Sequence, residues 1–419
     1  MSKELMPTSI VGAFVFTLSA YANFGDPLPG LTAQQMTDFQ NGKTVFQKID
    51  EIKADGLGPV FNEAACVTCH LGPAGTAADG AVGGTTERTE TRFGKNTGGV
   101  FDPLANEGGS LIQDHAIGAA AQYFPNPAGG APALPAGCEN VAFVPEIVPA
   151  DANVTAGRRT TPLFGLGLPN ALSDNDIIIQ AILEQIFSPF TAGTISFVSN
   201  PDPQPFSQNR VGRFGWKAQV PTLHVFSGDA YLNEMGITNP SFPNESCPQG
   251  NCALLACNPF PNLNDDGGDV NNFTNFMSLL APPPRGAITA SVQRGQEIFE
   301  IIGCADCHRP TWQTGPNPVA ALSNKIFEPY TDFLLHDMGN NADGITQNLA
   351  TGRLMRTTPL WGLRAQTALW HDGRFTGPNR IANAIEAHDA SPEAFIAEFF
   401  FDILGSGSRA DVLNFLNSL

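Results

Sequence analysis

The chain has 419 residues, of which 42% are hydrophobic and 15% are charged, so it can bury more than one core and is too apolar for a disordered protein. Its formal net charge of -18 argues against a nucleic-acid-binding role, because a strongly acidic surface repels phosphate backbones. The acidity favours a basic partner or simply keeps the protein soluble. The 43 glycines and 34 prolines predict short helices joined by long, shaped loops.

The first 22 residues have the pattern of a secretory signal peptide. Lys3 supplies a weak positive region, an apolar run extends from Ile10 to Ala20, and Ala20-Tyr21-Ala22 fits a small-x-small cleavage site. We therefore predict cleavage after Ala22 and a periplasmic mature protein, with an uncleaved anchor as the alternative. No later segment approaches the roughly 20 apolar residues that a transmembrane helix needs.

Two copies of the pentapeptide Cys-x-x-Cys-His occur, at residues 66–70 and 304–308. This spacing lets two thiols add to the two vinyl groups of one haem and places the histidine beneath the iron as its proximal ligand. A redox dithiol would not need the histidine, and a zinc site would need both pairs to converge. The sequence thus predicts two covalently bound c-type haems. The residues that would hold them are Cys66, Cys69 and His70 for haem 1, and Cys304, Cys307 and His308 for haem 2.

Four further cysteines, Cys138, Cys247, Cys252 and Cys257, lie outside the haem motifs. Their number is even, so they can form two disulfides in an oxidising compartment. The sequence leaves their pairing open.

The two halves of the chain resemble each other beyond the haem motifs. Before each motif a glycine is followed four residues later by a phenylalanine, at Gly42 and Phe46 and again at Gly295 and Phe299. This spacing is typical of a helix whose glycine admits a close neighbour. Both halves also carry an Arg-Thr-Thr-Pro-Leu segment, at 159–163 and 356–360, and both end on an amphipathic segment, at 275–280 and 414–419.

These repeats predict a mainly α-helical protein. We expect two cytochrome c-like haem domains related by internal duplication and elaborated by long irregular loops. The Pro-rich segment 281–286 is the natural linker between them. We therefore predict a signal peptide at 1–22, an N-terminal haem domain with insertions at 23–285, and a C-terminal haem domain at 286–419.

Histidines outside the haem motifs are candidates for the second axial ligands. His388 lies downstream of the second motif, at the position that the first half fills with Glu234. A haem with two axial ligands transfers electrons, whereas an open haem beside a carboxylate can bind peroxide and move its protons. The sequence leaves Met235 as an alternative ligand at haem 1 and Met338 as an alternative to His388 at haem 2.

The chain resembles the bacterial di-haem oxidoreductase (putative peroxidase) family, whose members are distant relatives of the di-haem cytochrome c peroxidases. The resemblance covers nearly the whole predicted mature chain. The segments that carry it are Gly58–Phe61, Arg158–Gly167, Gly212–Ala218, Leu360–Leu363 and His371–Arg374.

The resemblance implies roles for individual residues. Glu234, in a Glu-Met-Gly segment, matches the essential distal glutamate of the peroxidases. His224 stands where they have a distal glutamine, which leaves it as a further alternative ligand of haem 1. The ligand of the electron-transfer haem falls on His388, so His70, His308 and His388 are the predicted iron ligands. Trp216 is the candidate for a tryptophan between the haems. The resemblance also raises the question of a calcium ion between the domains, although no segment has an EF-hand pattern.

The sequence leaves three functions open. The first is a peroxidase that reduces hydrogen peroxide at haem 1 with electrons delivered through haem 2 by a small donor such as a cytochrome c or a cupredoxin. In it Glu234 and His224 move protons, and Lys217 stabilises negative charge. The second is a di-haem electron carrier without catalysis. The third is an oxidase that uses peroxide to modify a partner protein.

Overall fold

The computed structural model describes residues 23–72, 81–86, 88–124, 133–202, 209–261 and 263–419. The predicted signal peptide, residues 1–22, lies outside this part of the chain. No helix within it has the length and apolar character needed to span a membrane. The helices are α1 (Ala33–Phe46), α2 (Cys66–Cys69), α3 (Gly167–Asn170), α4 (Asp174–Phe187), α5 (Leu223–Met235), α6 (Gly268–Leu279), α7 (Ala290–Ile301), α8 (Arg380–Glu386), α9 (Phe395–Asp402) and α10 (Ser406–Leu416).

Short antiparallel strands connect these helices. One sheet has three strands in the order β3-β2-β7, and the other strands form two-stranded ribbons. The strands are β1 (Val60–Phe61), β2 (Thr89–Thr97), β3 (Val100–Asp102), β4 (His115–Ala116), β5 (Gly118–Ala119), β6 (Ala142–Phe143), β7 (Val154–Arg159), β8 (Phe197–Ser199), β9 (Asn209–Val211), β10 (Trp312–Gln313), β11 (Ile326–Phe327), β12 (Leu335–Asp337), β13 (Leu354–Arg356), β14 (Ala368–Leu369) and β15 (Phe375–Thr376).

The prediction of a mainly α-helical protein was wrong in its proportions. Helices account for 35% of the structure and strands for 16%, so the fold is mixed α/β. The difference arises in the long segments between the haem motifs and the helices, where chain that looked irregular pairs into ribbons. Within the described chain, the longest strand pairing joins β2 to β7 in the three-stranded sheet, from Thr89 opposite Arg159 to Gly94 opposite Val154.

In the N-terminal half, α1 packs against α6. A Cβ on Gly42 would lie 2.9 Å from the Cβ of Phe276 and closer still to the carbonyl oxygen of Asn272, so only glycine permits this approach. One turn later the Phe46 ring packs against the rings of Phe273 and Phe276. The helices predicted around Gly42 and Phe276 are therefore confirmed.

The C-terminal half repeats this contact between α7 and α10. A Cβ on Gly295 would lie 2.8 Å from the Cβ of Phe415, and the Phe299 ring packs against Phe415 with ring centres 5.2 Å apart. In both halves the phenylalanine also lies beside the histidine of the haem motif, with ring centres 5.8 Å apart for Phe46 and His70 and 6.2 Å apart for Phe299 and His308. Each helix pair thus forms one wall beside a haem motif.

The Arg-Thr-Thr-Pro-Leu segments hold the two halves against each other. The backbone N–H of Arg159 donates to the carbonyl of His371 at 2.6 Å, and that of Arg356 donates to the carbonyl of Trp216 at 2.8 Å. Each arginine therefore hydrogen-bonds to the opposite half. Nearby, the buried Asp343 carboxylate pairs with both Arg158 and Lys217, at 2.7 Å from each.

The four cysteines outside the haem motifs form two disulfides. Cys138 pairs with Cys257, closing a loop of 119 residues, and Cys247 pairs with Cys252, five residues apart. The cysteines of both Cys-x-x-Cys-His motifs remain free thiols. Disulfide formation therefore leaves all four motif cysteines available to another partner.

Candidate functional site

The structure contains a cavity beside each Cys-x-x-Cys-His motif. The cavity beside residues 304–308 has a volume of about 260 Å³, and the cavity beside residues 66–70 has a volume of about 180 Å³. Folded interiors are close-packed and hold few voids larger than one water molecule. Predominantly apolar spaces of this size therefore indicate the sites of large bound groups.

The two motifs adopt the same local turn. The backbone N–H of His70 donates to the carbonyl of Cys66 at 3.0 Å, and that of His308 donates to the carbonyl of Cys304 at 3.0 Å. This single helical turn brings both thiols and the imidazole to one wall of each cavity. The donor set suits a haem, because thiols and a neutral imidazole are the groups that c-type haems use.

Both motif histidines are oriented through the ring nitrogen that points away from the cavity. His308 Nδ1 lies 3.1 Å from the carbonyl oxygen of Tyr330, and His70 Nδ1 lies 3.4 Å from that of Gly84. Burial lowers the pKa of each imidazole to about 4, so both rings are neutral at physiological pH. An Nδ1–H donated to a carbonyl leaves the Nε2 lone pair free to bind a metal.

His388 faces His308 across the larger cavity. The two ring centres are 6.4 Å apart. Two imidazoles on opposite sides of one metal ion, each with a nitrogen about 2 Å from it, have ring centres roughly 6.3 Å apart. His388 Nδ1 also lies 2.7 Å from the carbonyl oxygen of Ala384, which leaves its Nε2 free. The pair therefore fits a haem held by two histidines. The alternative ligand Met338 lines the same cavity.

The smaller cavity presents carboxyl groups instead of a second imidazole. Among the described residues that line it, His70 is the one histidine, whereas Glu234 at the end of α5 and Glu90 on β2 both reach it. The Glu234 and Glu90 side chains lie within hydrogen-bonding distance of each other, and Asn62 Nδ2 donates to Glu234 Oε2 at 2.7 Å. The rival ligand Met235 lines this cavity as well.

The Glu90–Glu234 pair is electrostatically asymmetric. Arg92 donates to both oxygens of Glu90, at 2.8 and 3.1 Å, and this ion pair lowers the pKa of Glu90 against the effect of burial. Burial and the neighbouring Glu90 charge raise the pKa of Glu234. Glu234 is therefore the carboxyl that holds a proton, and Glu90 is the one that stays ionised. Burial also raises the pKa of Asp229, one turn earlier on α5, to about 6.

Trp216 lines both cavities. Its indole N–H donates to the carbonyl oxygen of Arg159 at 2.8 Å, so the ring is anchored to the segment that joins the two halves. Its ring centre lies 6.3 Å from that of His371. Trp216, the candidate from the sequence for a tryptophan between the haems, thus lies between the two cavities.

His224 lies elsewhere. Its Nδ1 is 2.7 Å from Asp202 Oδ1, and this partner raises the pKa of the imidazole. His224 is absent from the described lining of either cavity. This position gives no support to a role at haem 1. The α5 carboxyl groups that line the smaller cavity are those of Asp229 and Glu234.

Lys217 is fully buried and faces neither cavity lining. Its ammonium group donates to the carbonyls of Thr351 and Leu354 at 3.0 and 2.7 Å and pairs with Asp343. Through these three partners Lys217 connects the two halves. It is neither a solvated surface lysine nor part of the described lining of either cavity. Burial lowers its pKa to about 8.

Among the described residues, one other group of side chains brings metal-ligating types together. Ligand atoms of Cys307, Asp332 and His336 lie within 4.8 Å of one another. His336 is already engaged by Asp332 at 2.9 Å and by Glu393 at 2.8 Å. The group borders the larger cavity. It does not suit the calcium ion considered from the sequence, because calcium takes oxygen ligands and two of these three side chains offer sulfur and nitrogen.

Sequence reasoning missed Glu90, Arg92, Asn62 and Asp229. Asp229 lies five residues before Glu234 on α5, about 140° away around the helix axis, so helical spacing from Glu234 does not single it out. Glu90 and Arg92 come to the cavity through the pairing of β2 with β7, a contact across more than sixty residues that no local pattern announces.

Comparison with known proteins gives a family match. Residues 144–419 match the sequence profile of the family described as "Di-haem oxidoreductase, putative peroxidase". No curated protein matches the chain.

Two solved structures share a weak likeness with the chain. A MauG-like protein associated with microbial copper homeostasis is 14% identical over 37% of this chain, with a TM-score of 0.25; the match spans 57% of that protein's length. The hydrazine synthase of Kuenenia stuttgartiensis, pressurised with xenon, is 12% identical over 100% of both chains, with a TM-score of 0.32.

Proposed function

The chain belongs to the di-haem oxidoreductase family, and we propose that it is a peroxidase that reduces hydrogen peroxide at haem 1 with electrons delivered through haem 2. The observation that carries the proposal is the contrast between the two cavities. One sets His388 opposite His308, with ring centres 6.4 Å apart. The other sets the hydrogen-bonded carboxyl groups of Glu234 and Glu90 beside His70.

The two haems are attached covalently in this proposal, through Cys66 and Cys69 in the first half and Cys304 and Cys307 in the second. All four thiols are free while the other four cysteines are disulfide-bonded. When bound, a haem supplies an iron that exchanges electrons and, where one axial position is open, binds peroxide.

Glu234 and Glu90 supply and receive protons. Conversion of peroxide to water consumes protons as well as electrons, so the site needs an acid that is protonated near neutral pH. Glu234 meets this requirement because burial and the Glu90 charge raise its pKa. Glu90, held ionised by Arg92, accepts the hydrogen bond of the Glu234 carboxyl and orients it.

The residues around haem 2 favour electron transfer. Both imidazoles donate their Nδ1 hydrogens to backbone carbonyls, of Tyr330 for His308 and of Ala384 for His388, and both rings are therefore fixed. A haem held by both rings would have no free position for substrate and would exchange electrons with little rearrangement. Trp216 lies between the cavities on the path toward haem 1.

We further infer that the two halves arose by internal duplication. The support is the recurrence of one contact set: a helix glycine against a second helix, a phenylalanine beside the motif histidine, and an arginine whose N–H reaches the opposite half. The same duplicated plan then carries two different distal groups.

The cellular setting is part of the proposal. Covalent haem attachment, two disulfides and the signal-like first 22 residues are together typical of a periplasmic protein. There the electron donor would be a small redox protein, and the net charge of -18 favours a basic one.

The test is peroxide reduction by the Glu234→Gln variant. Because a positioned acid contributes about 10² to 10⁴ in rate, we expect peroxide turnover to fall by at least about 100-fold. Glu245→Gln is the matched control, since Glu245 is also a carboxyl whose pKa is raised by burial but lies outside the described lining of both cavities. The assay follows oxidation of a small artificial electron donor, with haem content measured for each variant.

An unchanged rate in Glu234→Gln would contradict the proposed acid. A wild-type protein that exchanges electrons but leaves peroxide intact would be an electron carrier instead. Peroxide consumption that proceeds only with a partner protein, and leaves that partner oxidised, would identify the modifying oxidase.

A further inference from the structure

Tyr231 on α5 lines the haem 1 cavity and has no part in the proton and electron transfers proposed so far. It is 3% exposed, and its ring lines the cavity together with those of Phe46, His70 and Phe273. Ring centres are 5.0 Å apart for Tyr231 and Phe273, 6.0 Å for Phe273 and Phe46, and 5.8 Å for Phe46 and His70. Packed aromatic rings therefore join the phenol to the histidine of the first haem motif.

The Tyr231 hydroxyl has carboxylates as its hydrogen-bond acceptors. It lies 3.2 Å from Asp269 Oδ2 and 3.4 Å from Asp50 Oδ2. A phenol gives up an electron readily when a positioned base takes its proton in the same step, because the protonated radical is a very strong acid. Burial raises the pKa of Asp50 and the pKa of Asp269, which makes each a better proton acceptor than a carboxylate in water.

These carboxylates connect the phenol to solvent. The Asp50 side chain is 4% exposed, whereas that of Asp269 is 29% exposed. Lys48 Nζ lies 2.8 Å from Asp50 Oδ1 and 3.8 Å from Asp269 Oδ2, and the lysine side chain is half-exposed. A proton that leaves Tyr231 thus enters an ion-paired cluster at the protein surface, from which it can return.

Other oxidisable rings near the haem motifs lack this arrangement. Trp216 also lines the haem 1 cavity, but its indole N–H donates to the carbonyl oxygen of Arg159, and a carbonyl does not take up a proton at neutral pH. The guanidinium carbon of Arg285 lies 5.8 Å from the ring centre of Tyr330, and a cation there opposes the loss of an electron. Within the described lining of the haem 1 cavity, Tyr231 is the phenol or indole that is hydrogen-bonded to carboxylates.

The electron count of the proposed reaction leaves a place for such a residue. Reduction of hydrogen peroxide takes two electrons, whereas a haem passes electrons one at a time. While haem 2 is still oxidised it has no electron to give, so oxidising equivalents would persist at haem 1. A one-electron donor beside haem 1, with a proton acceptor in place, would consume one of them.

We propose that Tyr231 is a redox-active residue of the haem 1 site, which supplies one electron when haem 2 is still oxidised. The inference rests on the proposed function, because hydrogen peroxide at haem 1 is the oxidant. In this step the phenol O–H bond breaks: the electron passes to haem 1, already oxidised by peroxide, and the proton passes to Asp269 or Asp50. Tyr231 becomes a neutral tyrosyl radical, and one oxidising equivalent at haem 1 is consumed. A later electron from haem 2, with the returning proton, restores the phenol.

The experiment mixes the fully oxidised di-haem protein with an equimolar amount of hydrogen peroxide, freezes it rapidly and records its electron paramagnetic resonance. We expect an organic radical signal with tyrosyl hyperfine structure, which ring-deuterated tyrosine narrows. Tyr231→Phe keeps the packed ring but removes the hydroxyl, so it should lose the signal. Tyr123→Phe is the matched control and should retain it, because the Tyr123 hydroxyl lies 3.1 Å from the carbonyl oxygen of Ile117 and outside the described lining of both cavities.

Two further readouts separate a redox role from a structural one. Replacing both Asp50 and Asp269 by asparagine keeps the side-chain size but removes both proton acceptors, so radical formation should slow by about 100-fold or more. Lys48 keeps Asp55 as its ionic partner in this variant. Reduction of haem 2 before peroxide is added should suppress the wild-type signal, because haem 2 then supplies the electron.

Haem absorbance, recorded on the same samples, distinguishes failure of this inference from failure of the peroxidase proposal. A haem spectrum that responds to peroxide without any tyrosyl signal refutes the redox role of Tyr231 alone, and so does an equal signal in Tyr231→Phe. A haem spectrum that ignores peroxide refutes the peroxidase proposal and this inference with it.

Discussion

Substitution of Gly295 by alanine tests the close helix contact on which the haem 2 half depends. The added Cβ would lie 2.5 Å from the carbonyl carbon of Asp411 and 2.8 Å from the Cβ of Phe415, and closer still to the Asp411 carbonyl oxygen. Non-bonded carbon and oxygen atoms normally stay about 3.3 Å apart or more. Since the obstacle is backbone of α10, the two helices must separate.

The expected magnitude follows from two opposing terms. Overpacking a close-packed contact costs about 1–3 kcal/mol. Alanine gains up to about 1 kcal/mol over glycine in a helix interior. We therefore expect Gly295→Ala to lower the free energy of unfolding by about 1–2 kcal/mol, and to loosen Phe299 against His308 in the same step.

Gly407→Ala is the matched control. Gly407 lies on α10 with open space where its Cβ would stand, so the same substitution should stabilise the protein by a few tenths of a kcal/mol. Urea unfolding followed by far-ultraviolet circular dichroism and by haem absorbance measures both. If the two variants shift stability in the same direction, the assigned helix contact is wrong.

Three other predictions concern single features. His388→Ala should convert haem 2 into a haem that binds added cyanide, because it removes the ring that faces His308; optical titration measures this, and a haem 2 indifferent to cyanide would contradict it. Replacing Cys138 and Cys257 by serine should destabilise the protein by roughly 3 kcal/mol more than opening the 247–252 disulfide, since the closed loops span 119 and five residues; equal losses in thermal unfolding would refute this. Burial raises the pKa of Glu245 from 4.5 to about 8, so the folded state binds this proton more tightly than the unfolded chain and wild-type stability falls as pH rises through that window. Glu245→Gln should therefore gain stability over wild type from pH 4.5 to about 8, and parallel stability curves would contradict the assignment.

Local patterns predicted the parts of the molecule that are built from short stretches of chain. The Cys-x-x-Cys-His spacing anticipated two turns with identical backbone hydrogen bonds, and the Gly42–Phe46 and Gly295–Phe299 spacing anticipated two helices with close neighbours. These features depend on residues within one or two helical turns, so sequence periodicity carries them.

Long-range pairing decided what local patterns could not. Glu90 and Arg92 reach the haem 1 cavity because β2 pairs with β7, and the same ribbons shift the fold from mainly α to mixed α/β. Partners likewise set the positions of His224 and Lys217: Asp202 engages the histidine, and Asp343 with two carbonyls buries the lysine. A residue type at a promising sequence position says little until its partners are known.

In the proposed function the two haem sites differ in axial ligation, with His388 opposite His308 and carboxyl groups beside His70. Electron paramagnetic resonance of the oxidised protein, before and after cyanide and after partial reduction, tests it directly. We predict one low-spin signal that ignores cyanide and one high-spin signal, present at rest or after partial reduction, that converts on binding it. Two low-spin haems that remain indifferent to cyanide in every state would contradict the claim.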